Sequence, residues 1–377
     1  MYTRMNKNRI LFISPWFPNT KNPTLGNFII RQAQLIAEDH SVFFIALTPT
    51  KEIKDSCRIE EIVDKGFEGL HIYHNSKLPF SLFHYHRCLI EAKRILKQRH
   101  LNFDLIHSQI MHRSGYATHF FSSAFNIPAV SSEHWSGYTP ERNESLNLFE
   151  KLNVLFANRV VKKFLPVTQH LGSSMRDFGI RPKFEVWYNV VDAELFYFEE
   201  EKEFTFIHIS TLDANKRPLD ILSAFHTVWK EFPEVRMSLG GDGDTDPLIM
   251  ERKRLSIPIE NLEIHSAIPY SEAASRMRHS QCLIQFSNFE NLPCTISEAM
   301  SAGLYVISSD VGGIKEVLQS ETIGVVIPAG NIDLLGKAML TFYKNRLKSV
   351  QSSSTLFNPI SLKRQINRVY NDLVNHK

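Results

Sequence analysis

The chain has 377 residues, a length that fits two domains of ordinary size better than one. Its 43 basic and 40 acidic residues leave a net charge of +3, which is too balanced to indicate a nucleic-acid-binding protein. No Cys-x-x-Cys pair and no metal-ligand spacing occurs among the four cysteines, so we expect reduced thiols and a cytoplasmic protein; they are Cys57, Cys88, Cys282 and Cys294.

The first predicted element is the apolar strand Arg9–Ser14. The loop PWFPNTKNPTLGNF leads from it to a helical pattern from Phe28 to about Glu38, and His40–Thr48 predicts a second strand. This order of strand, loop and helix is typical of an α/β unit. Gly26, near the end of the loop, has no Cβ, so it permits close approach of a ligand to the backbone or simply starts the helix.

Apolar residues recur at helical spacing in residues 78–100, where five basic side chains are interleaved: Arg87, Lys93, Arg94, Lys97 and Arg99. The pattern predicts a basic amphipathic helix or a pair of helices. Most such helices pack on the surface of a domain, but this one also suits peripheral contact with the inner face of a membrane. Because no apolar run approaches the length of a membrane span and Ile10–Ser14 is too short for a signal sequence, we expect any membrane contact to be superficial.

His134 follows one of the buried strands predicted in the first half of the chain. Asp104–His107 and Ala129–Ser132 predict two such strands, with a helix over Gly115–Phe125 between them. Ligands of open parallel sheets bind at the carboxyl ends of the strands, so His134 is a candidate binding residue. The alternative is that it caps the strand beside Glu133.

The second half of the chain repeats the alternation of strands and helices. The polar run Glu199–Glu203 predicts a linker, and Phe204–Ser210 and Val235–Gly240 predict strands on either side of the helix Leu219–Phe232. Gly240–Asp244 contains an Asp-x-Asp pair and several glycines. The spacing of a dinucleotide fingerprint is absent there, and we assign no metal site to it.

The stretch from Gln285 to Glu316 is the most informative part of the sequence. Pro293 suits the first turn of a helix, where its missing N–H costs nothing, and this helix is predicted to run to Gly303. The first N–H groups of the helix, near Cys294 and Thr295, together with the positive end of its dipole predict a phosphate site.

Two glutamates flank this predicted phosphate site. Glu290 precedes it in a loop, and Glu298 lies about two turns into the helix. Taken singly, they are explained as a solvated loop acid and a helix acid favoured by the dipole. Tyr305–Ser308 predicts the next strand, and Gly312-Gly313 predicts a tight turn before another helix.

Together these residues form the pattern Glu-x7-Glu, Ala-Met-x-Ala-Gly, a short apolar strand and Gly-Gly-x-x-Glu. This pattern resembles the donor-site signature of the family 4 retaining glycosyltransferases. The resemblance implies an α/β protein with the GT-B fold, in which two Rossmann-like domains face a cleft. The first domain would comprise residues 1–197, the second residues 198–357, and a final helix at residues 358–377 would pack back onto the first domain.

The resemblance also implies an activity. A sugar would pass from a nucleotide diphosphate sugar to a hydroxyl acceptor, in the synthesis of a surface polysaccharide or a glycolipid. The donor would be a substrate, so no cofactor is expected. The expected partners are the nucleotide-sugar donor and a glycan or glycolipid acceptor.

The resemblance assigns donor-binding roles in the second domain. Glu290 would meet hydroxyls of the transferred sugar and Glu298 the ribose, which suits carboxylates because they accept hydrogen bonds from vicinal hydroxyls. Lys216 would clamp the donor diphosphate. The partner Arg of the family is replaced by Thr211, so the adjacent Arg217 is an alternative phosphate ligand.

Further roles follow for residues at strand ends and in loops. Gly26 lies in a loop that resembles the acceptor-facing glycine loop of the family, and His134 would lie against the donor sugar. Trp135 and Tyr138 offer an apolar platform for a sugar face. The backbone around Ile268 sits where the nucleobase usually stacks.

Two other functions stay open at this level. Thr211 in the Arg position, and Asn291-Leu292-Pro293 where the family often has Gly-Phe-Gly, are compatible with a non-catalytic protein that binds nucleotide sugars. A nucleotide-sugar epimerase shares the two-domain fold. Glu-x7-Glu together with Lys216 favours a transferase.

Overall fold

The computed structural model describes residues 7–19, 22, 24–63, 66–76, 81–140, 142, 146–181, 183–345 and 355–375. The chain divides into two compact units: Met1–Val190 together with Pro359–Lys377, and Val191–Asn358. This division lies a few residues before the boundary predicted at residues 197 and 198. Glu199–Glu203, predicted as a linker, lies inside the second unit, where the Glu199 carboxylate accepts a hydrogen bond from Arg278 Nε at 3.1 Å.

The first unit is built on a mainly parallel sheet. Its described residues form eight strands: β1 (Arg9–Ser14), β2 (Ser41–Thr50), β3 (Cys57–Ile62), β4 (Glu68–Asn75), β5 (Leu105–Gln109), β6 (Ala129–Glu133), β7 (Val161–Pro166) and β8 (Lys183–Phe184). The order is β3-β4-β2-β1-β5-β6-β7-β8, and each neighbouring pair is parallel except β3 and β4. The central strand β1 is fully buried from Ile10 to Ile13, as expected when helices cover both faces of a sheet.

Helices flank the strands of the first unit along the chain. They are α1 (Asn27–Ala37), α2 (Ser81–Gln98), α3 (Met111–Phe125), α4 (Leu148–Val160) and α5 (Gln169–Asp177). The basic segment predicted as one or two helices is a single helix, α2, and residues 78–80 lie outside the described residues. No helix in the described parts of the chain is long and apolar enough to cross a membrane.

The second unit has an all-parallel sheet. In the described chain its strands are β9 (Phe204–Ser210), β10 (Met237–Gly241), β11 (Leu262–His265), β12 (Ser280–Gln285), β13 (Tyr305–Ser309) and β14 (Gly324–Ile327), in the order β11-β10-β9-β12-β13-β14. The helices are α6 (Pro218–Glu231), α7 (Asp246–Arg254), α8 (Tyr270–Arg278), α9 (Cys294–Ser301) and α10 (Ile332–Lys344). The predicted α/β class is confirmed, with one parallel-sheet domain in each unit.

The last helix, α11 (Pro359–Asn375), belongs to the first unit. Its backbone accepts a hydrogen bond at Leu362 from Trp187 Nε1, at 3.2 Å. The buried Tyr370 hydroxyl lies 2.6 Å from Nδ1 of the buried His107 in β5. The helix is therefore attached to the sheet by buried polar contacts as well as by its apolar face.

Each sheet has a point where the chain reverses its direction of winding. In the first unit β1 lies between β2 and β5, and in the second unit β9 lies between β10 and β12. The loops that leave the carboxyl ends of such neighbouring strands diverge, which opens a crevice for ligands. The two places to look for function are therefore the carboxyl ends of β1 and β5 and those of β9 and β12.

Helices α3 and α4 approach most closely at Gly115. A Cβ added to Gly115 would lie 2.0 Å from the backbone oxygen of Asn153 and 3.1 Å from the Ala157 side chain. The Asn153 side chain also accepts a hydrogen bond from the Tyr116 backbone N–H at 2.9 Å, so this crossing is fixed by backbone contacts on both helices.

We expect Gly115→Ala to lower the free energy of unfolding by about 1 to 3 kcal/mol, because the added methyl group forces α3 away from α4. Gly336→Ala in α10 is the matched control, since the nearest atoms to its added Cβ are 3.9 Å away. The control should be stabilised by about 0.5 to 1 kcal/mol through helix propensity. Thermal unfolding followed by circular dichroism measures both variants, and equal melting temperatures would contradict the expectation.

Candidate functional site

Two loops meet at the switch point of the second sheet. We call residues 211–217, after β9, and residues 286–293, after β12, the switch-point loops. Asn215 joins them: its carbonyl accepts from Asn288 N at 2.9 Å, and its side chain both donates to Phe289 O and accepts from Phe289 N, each at 3.1 Å. Asn288 Nδ2 in turn donates to Ala214 O at 3.2 Å. These four hydrogen bonds fix each loop against the other.

Lys216 and Glu290, one from each switch-point loop, form an ion pair through Nζ and Oε1. Their side chains are 18% and 12% exposed, so water screens the pair only in part. Gln285 extends the cluster, because its Nε2 lies 3.4 Å from Glu290 Oε1 and its Oε1 accepts from Thr295 Oγ1 at 3.1 Å. Three residues predicted for the site are thus brought together around Gln285.

The Gly-Gly turn after β13 supports the Glu290 loop. Gly312 has φ +56°, and a Cβ there would lie 2.0 Å from the backbone oxygen of Glu290. Gly313 N donates to Asn291 O at 3.0 Å. A side chain at position 312 would therefore push the Glu290 loop away. The helix predicted after this turn is only a 3-10 turn over Ile314–Glu316.

Glu298 is buried in α9, and its Oε1 accepts a hydrogen bond from the Tyr270 hydroxyl at 2.7 Å. Tyr270 begins α8 and follows Ile268 by two residues, so it ties the loop predicted for nucleobase stacking to the glutamate predicted for the ribose. Sequence reasoning missed Tyr270. Its only signal is a position directly after Pro269, at the start of a helix.

The start of α9 lies where the phosphate site is predicted. The helix begins at Cys294, and the residue before it, Pro293, supplies no side-chain cap. Cys294 and Thr295 are partly exposed, which keeps the positive end of the helix within reach of an anion. Within the described residues, no group of three or more His, Cys, Asp or Glu side chains is placed to hold a metal ion.

Arg217 and Thr211 are engaged within the protein. Arg217 has φ +48° and donates from Nε to Asp220 Oδ2 at 2.5 Å and from Nη1 to Asn288 Oδ1 at 3.0 Å. Thr211 Oγ1 donates to Asp213 Oδ2 at 2.7 Å. The Arg217 guanidinium therefore braces the switch-point loops, and it would have to leave both partners to bind a phosphate.

In the first unit, the geometry of Gly26 supports the simpler alternative. Gly26 has φ +75° at the start of α1, and a Cβ there would lie 2.4 Å from the backbone oxygen of Trp16. The loop therefore requires glycine in order to fold against itself before the helix begins.

Glu133, rather than His134, caps the end of β6. Its carboxylate accepts backbone hydrogen bonds from Met111 and His134 at 2.9 Å and from Trp135 at 3.0 Å. Glu133 is fully buried, and this burial raises its pKa to about 7 despite the three hydrogen bonds. The capping fixes the backbone of the loop that carries His134.

A chain of amide side chains fixes the tautomer of His134. Gln32 Nε2 donates to Asn189 Oδ1 at 3.2 Å, so Gln32 Oε1 is the atom that accepts from Gln109 Nε2, also at 3.2 Å. Gln109 Oε1 is then an acceptor, and it lies 2.9 Å from His134 Nε2. Only the tautomer with hydrogen on Nε2 donates this bond. Burial lowers the pKa of His134 to about 3, so the ring is neutral.

The aromatic residues after His134 are packing residues, which corrects the prediction of a sugar platform. Trp135 and Tyr138 are both buried. The Trp135 ring stacks on His112 at 3.9 Å between centroids, and the Tyr138 ring meets Trp135 edge-on at 4.9 Å. Neither ring presents a free face to a ligand.

Comparison with known proteins now identifies the family. Residues 27–195 match the family described as Glycosyltransferase Family 4, and residues 195–354 match the family described as Glycosyl transferases group 1. The chain therefore belongs to the family 4 glycosyltransferases, and its two parallel-sheet domains are of the GT-B type.

Curated relatives match only part of the chain. A phosphatidylinositol N-acetylglucosaminyltransferase of Arabidopsis thaliana is 28% identical over 124 residues, which is 33% of this chain and 28% of the relative. N-acetyl-alpha-D-glucosaminyl L-malate synthase of Bacillus anthracis is 26% identical over 159 residues, 38% of this chain and 40% of the relative. The match thus spans well under half the length of these relatives.

Solved structures match over nearly the whole chain. Sucrose-phosphate synthase from Thermosynechococcus elongatus has a TM-score of 0.74 at 14% identity, with 98% of this chain and 100% of that chain covered. Anabaena HepE in complex with UDP-glucose has a TM-score of 0.72 at 16% identity, with 97% and 100% covered. At these identities the likeness establishes the fold.

We expect His134 to stay neutral, with hydrogen on Nε2, between about pH 5 and pH 8, because its pKa is depressed by burial and Gln109 holds the proton. Long-range proton–nitrogen NMR of histidine-labelled protein distinguishes the tautomers, and His134→Gln assigns the signal. Gln109→Glu should raise the pKa of His134, whereas Gln109→Met should not. A cationic ring in the wild type at neutral pH would contradict the assignment.

Proposed function

We propose that the chain is a retaining glycosyltransferase that moves a sugar from a nucleotide diphosphate sugar to a hydroxyl acceptor. The observation that carries this proposal is the Lys216–Glu290 pair at the switch point of the second sheet, beside the start of α9. A cation, a carboxylate and a helix N-terminus at one sheet edge suit a ligand that combines phosphates with hydroxyl groups. The UDP-glucose bound by the structurally similar HepE supports the same class of donor.

The demanding step is the breakage of the anomeric bond. Negative charge develops on the departing diphosphate, so groups preorganised to stabilise that charge contribute most. Lys216 is the cation for this role, and the first N–H groups of α9, at Cys294 and Thr295, supply the helix dipole. Arg217 is assigned to the integrity of the loops rather than to the phosphates.

The two glutamates would bind different parts of the donor. When Lys216 turns to the diphosphate, Glu290 is released to accept hydrogen bonds from sugar hydroxyls. Glu298, oriented by Tyr270, would accept from the ribose. The donor thus replaces the ion pair of the free protein without leaving either charge unpaired.

His134 would contact the transferred sugar as a neutral hydrogen-bonding group. Its depressed pKa means that it holds no proton to donate as an imidazolium near neutral pH. The acceptor proton would then pass to the leaving diphosphate, as in a front-face retaining mechanism. No cofactor is proposed besides the donor substrate.

The acceptor is proposed to be a glycolipid or a surface polysaccharide precursor. Among the relatives, the Arabidopsis thaliana protein and a phosphatidyl-myo-inositol mannosyltransferase of Mycobacterium tuberculosis are named for lipid acceptors. The latter is 28% identical over 120 residues, 32% of this chain and 31% of the relative. Such acceptors would be reached from the surface of a membrane.

We expect one class of nucleotide diphosphate sugar to raise the melting temperature, and Glu298→Ala to abolish the rise. A site saturated a hundredfold adds about 2.7 kcal/mol of apparent stability. Uridine, guanosine and adenosine diphosphate sugars are screened by thermal shift, with Glu321→Ala, at an exposed glutamate of the same unit, as control. The absence of a shift with every donor and with the bare nucleoside diphosphates would remove the proposal.

We expect Lys216→Ala to lower kcat by roughly a hundredfold or more, with a smaller change in KM, because it removes charge stabilisation from the transition state. Donor hydrolysis or transfer to an acceptor extract measures the rate, and the anomeric configuration of the product by proton NMR tests retention. Lys253→Ala, at an exposed lysine in α7, is the control. Wild-type kcat in Lys216→Ala would exclude the assigned role.

A further inference from the structure

A cavity of about 220 Å³ opens in the first unit at the carboxyl edge of its sheet. It lies where β1, β2 and β4 end, and most of its wall is apolar: Pro15, Leu47, Pro49, Leu82, Tyr85 and Phe149. Whole-ligand sites usually measure about 300 to 1,000 Å³, so this cavity suits one part of a larger ligand. We call it the β4 cavity.

The polar groups of the β4 cavity leave it with a positive balance. Arg113 lines the cavity and has no hydrogen-bond or ion-pair partner among the described residues. The Glu150 carboxylate, by contrast, accepts a hydrogen bond from Asn147 N at 3.0 Å in the capping box of α4. Burial lowers the pKa of His74 to about 4, so that ring is neutral.

Helix orientation adds to this positive balance. Leu82 is the second residue of α2, Arg113 the third of α3, and Phe149 the second of α4, so three helices begin at the cavity wall. Each helix start carries the positive end of a dipole. Arg113 therefore stands unpaired in a region that favours anions.

The apolar wall continues onto the surface along α2. Leu82 lines the cavity yet is 46% exposed, and Phe83 and Ile90 on the same helix are exposed by 57% and 49%. The Arg87 guanidinium lies over the Phe83 ring, 5.9 Å from its centroid. This surface suits a hydrocarbon chain that leaves the cavity, with cations beside it.

We propose that the β4 cavity binds the part of the acceptor where a hydrocarbon group joins a phosphate, with Arg113 pairing the phosphate. The proposal rests on the proposed glycosyl transfer and names its acceptor class, a phosphorylated amphiphile. Guanidinium and phosphate form paired charge-assisted hydrogen bonds, and the apolar wall covers the first part of the chain. A neutral amphiphile leaves Arg113 unpaired, and a free phosphate leaves the wall uncovered.

Titration calorimetry with the full chain tests this inference with three probes: octyl phosphate below its micelle concentration, octyl glucoside, and inorganic phosphate. Octyl phosphate should bind at least tenfold more tightly than either of the others. Arg113→Gln should remove this advantage, and Leu82→Ser should weaken both octyl probes. Arg87→Gln, on α2 but not in the cavity wall, is the matched control.

The source of the phosphate is distinguished by sedimentation with phosphatidylcholine vesicles that contain phosphatidic acid. Binding that depends on Arg113 supports a membrane lipid; octyl phosphate binding without vesicle binding supports a water-soluble acceptor of the same chemistry. Unchanged octyl phosphate affinity in Arg113→Gln would overturn the inference. Nucleotide-sugar thermal shifts on the same variants keep this result separate, because they test the proposed transferase and should match the wild type.

Discussion

The side chain of Asn215 holds together the two loops on which the candidate donor site depends. It bonds the backbone of Phe289 in both directions, and through it the loop after β9 and the loop after β12 become one rigid element. Lys216 follows Asn215 directly, and Glu290 follows Phe289 directly, so the lacing sets the distance between cation and carboxylate. The ion pair is a consequence of this backbone arrangement rather than its cause.

The partial burial of that ion pair makes the site selective for a particular kind of ligand. Removing one partner of a buried pair is far more costly than losing an exposed pair, because the other charge is left without compensation. A ligand with phosphates but no suitable hydroxyls strands Glu290, and a free sugar strands Lys216. A nucleotide diphosphate sugar satisfies both, which links its recognition to the opening of the pair. Gln285 stays beside Glu290 and Thr295 during this exchange.

Sequence patterns predicted the parts of the structure that depend on local periodicity. Buried runs such as Ile10–Ile13 predicted strands well, whereas the hairpin of β3 and β4 was missed because β3 is polar and largely exposed. Tertiary contacts were beyond such patterns. Gln32 and Gln109 are 77 residues apart, and Gln32 and Asn189 are 157 apart, so no motif reveals the chain that fixes His134. Aromatic type alone likewise did not distinguish the buried Trp135 from a sugar platform.

The candidate groups of the two units differ in charge, and this difference restricts the chemistry. The second unit offers charged groups, whereas burial keeps His134 neutral, with a pKa of about 3. Glu133 has a pKa near 7, but its carboxylate is fully buried and accepts three backbone hydrogen bonds, so it has no path to a substrate hydroxyl. Neither residue is then available as a general base, and the proton of the acceptor has to leave on the diphosphate whose charge Lys216 stabilises. The proposed mechanism thus assigns acid–base work to the substrate and electrostatic work to the protein.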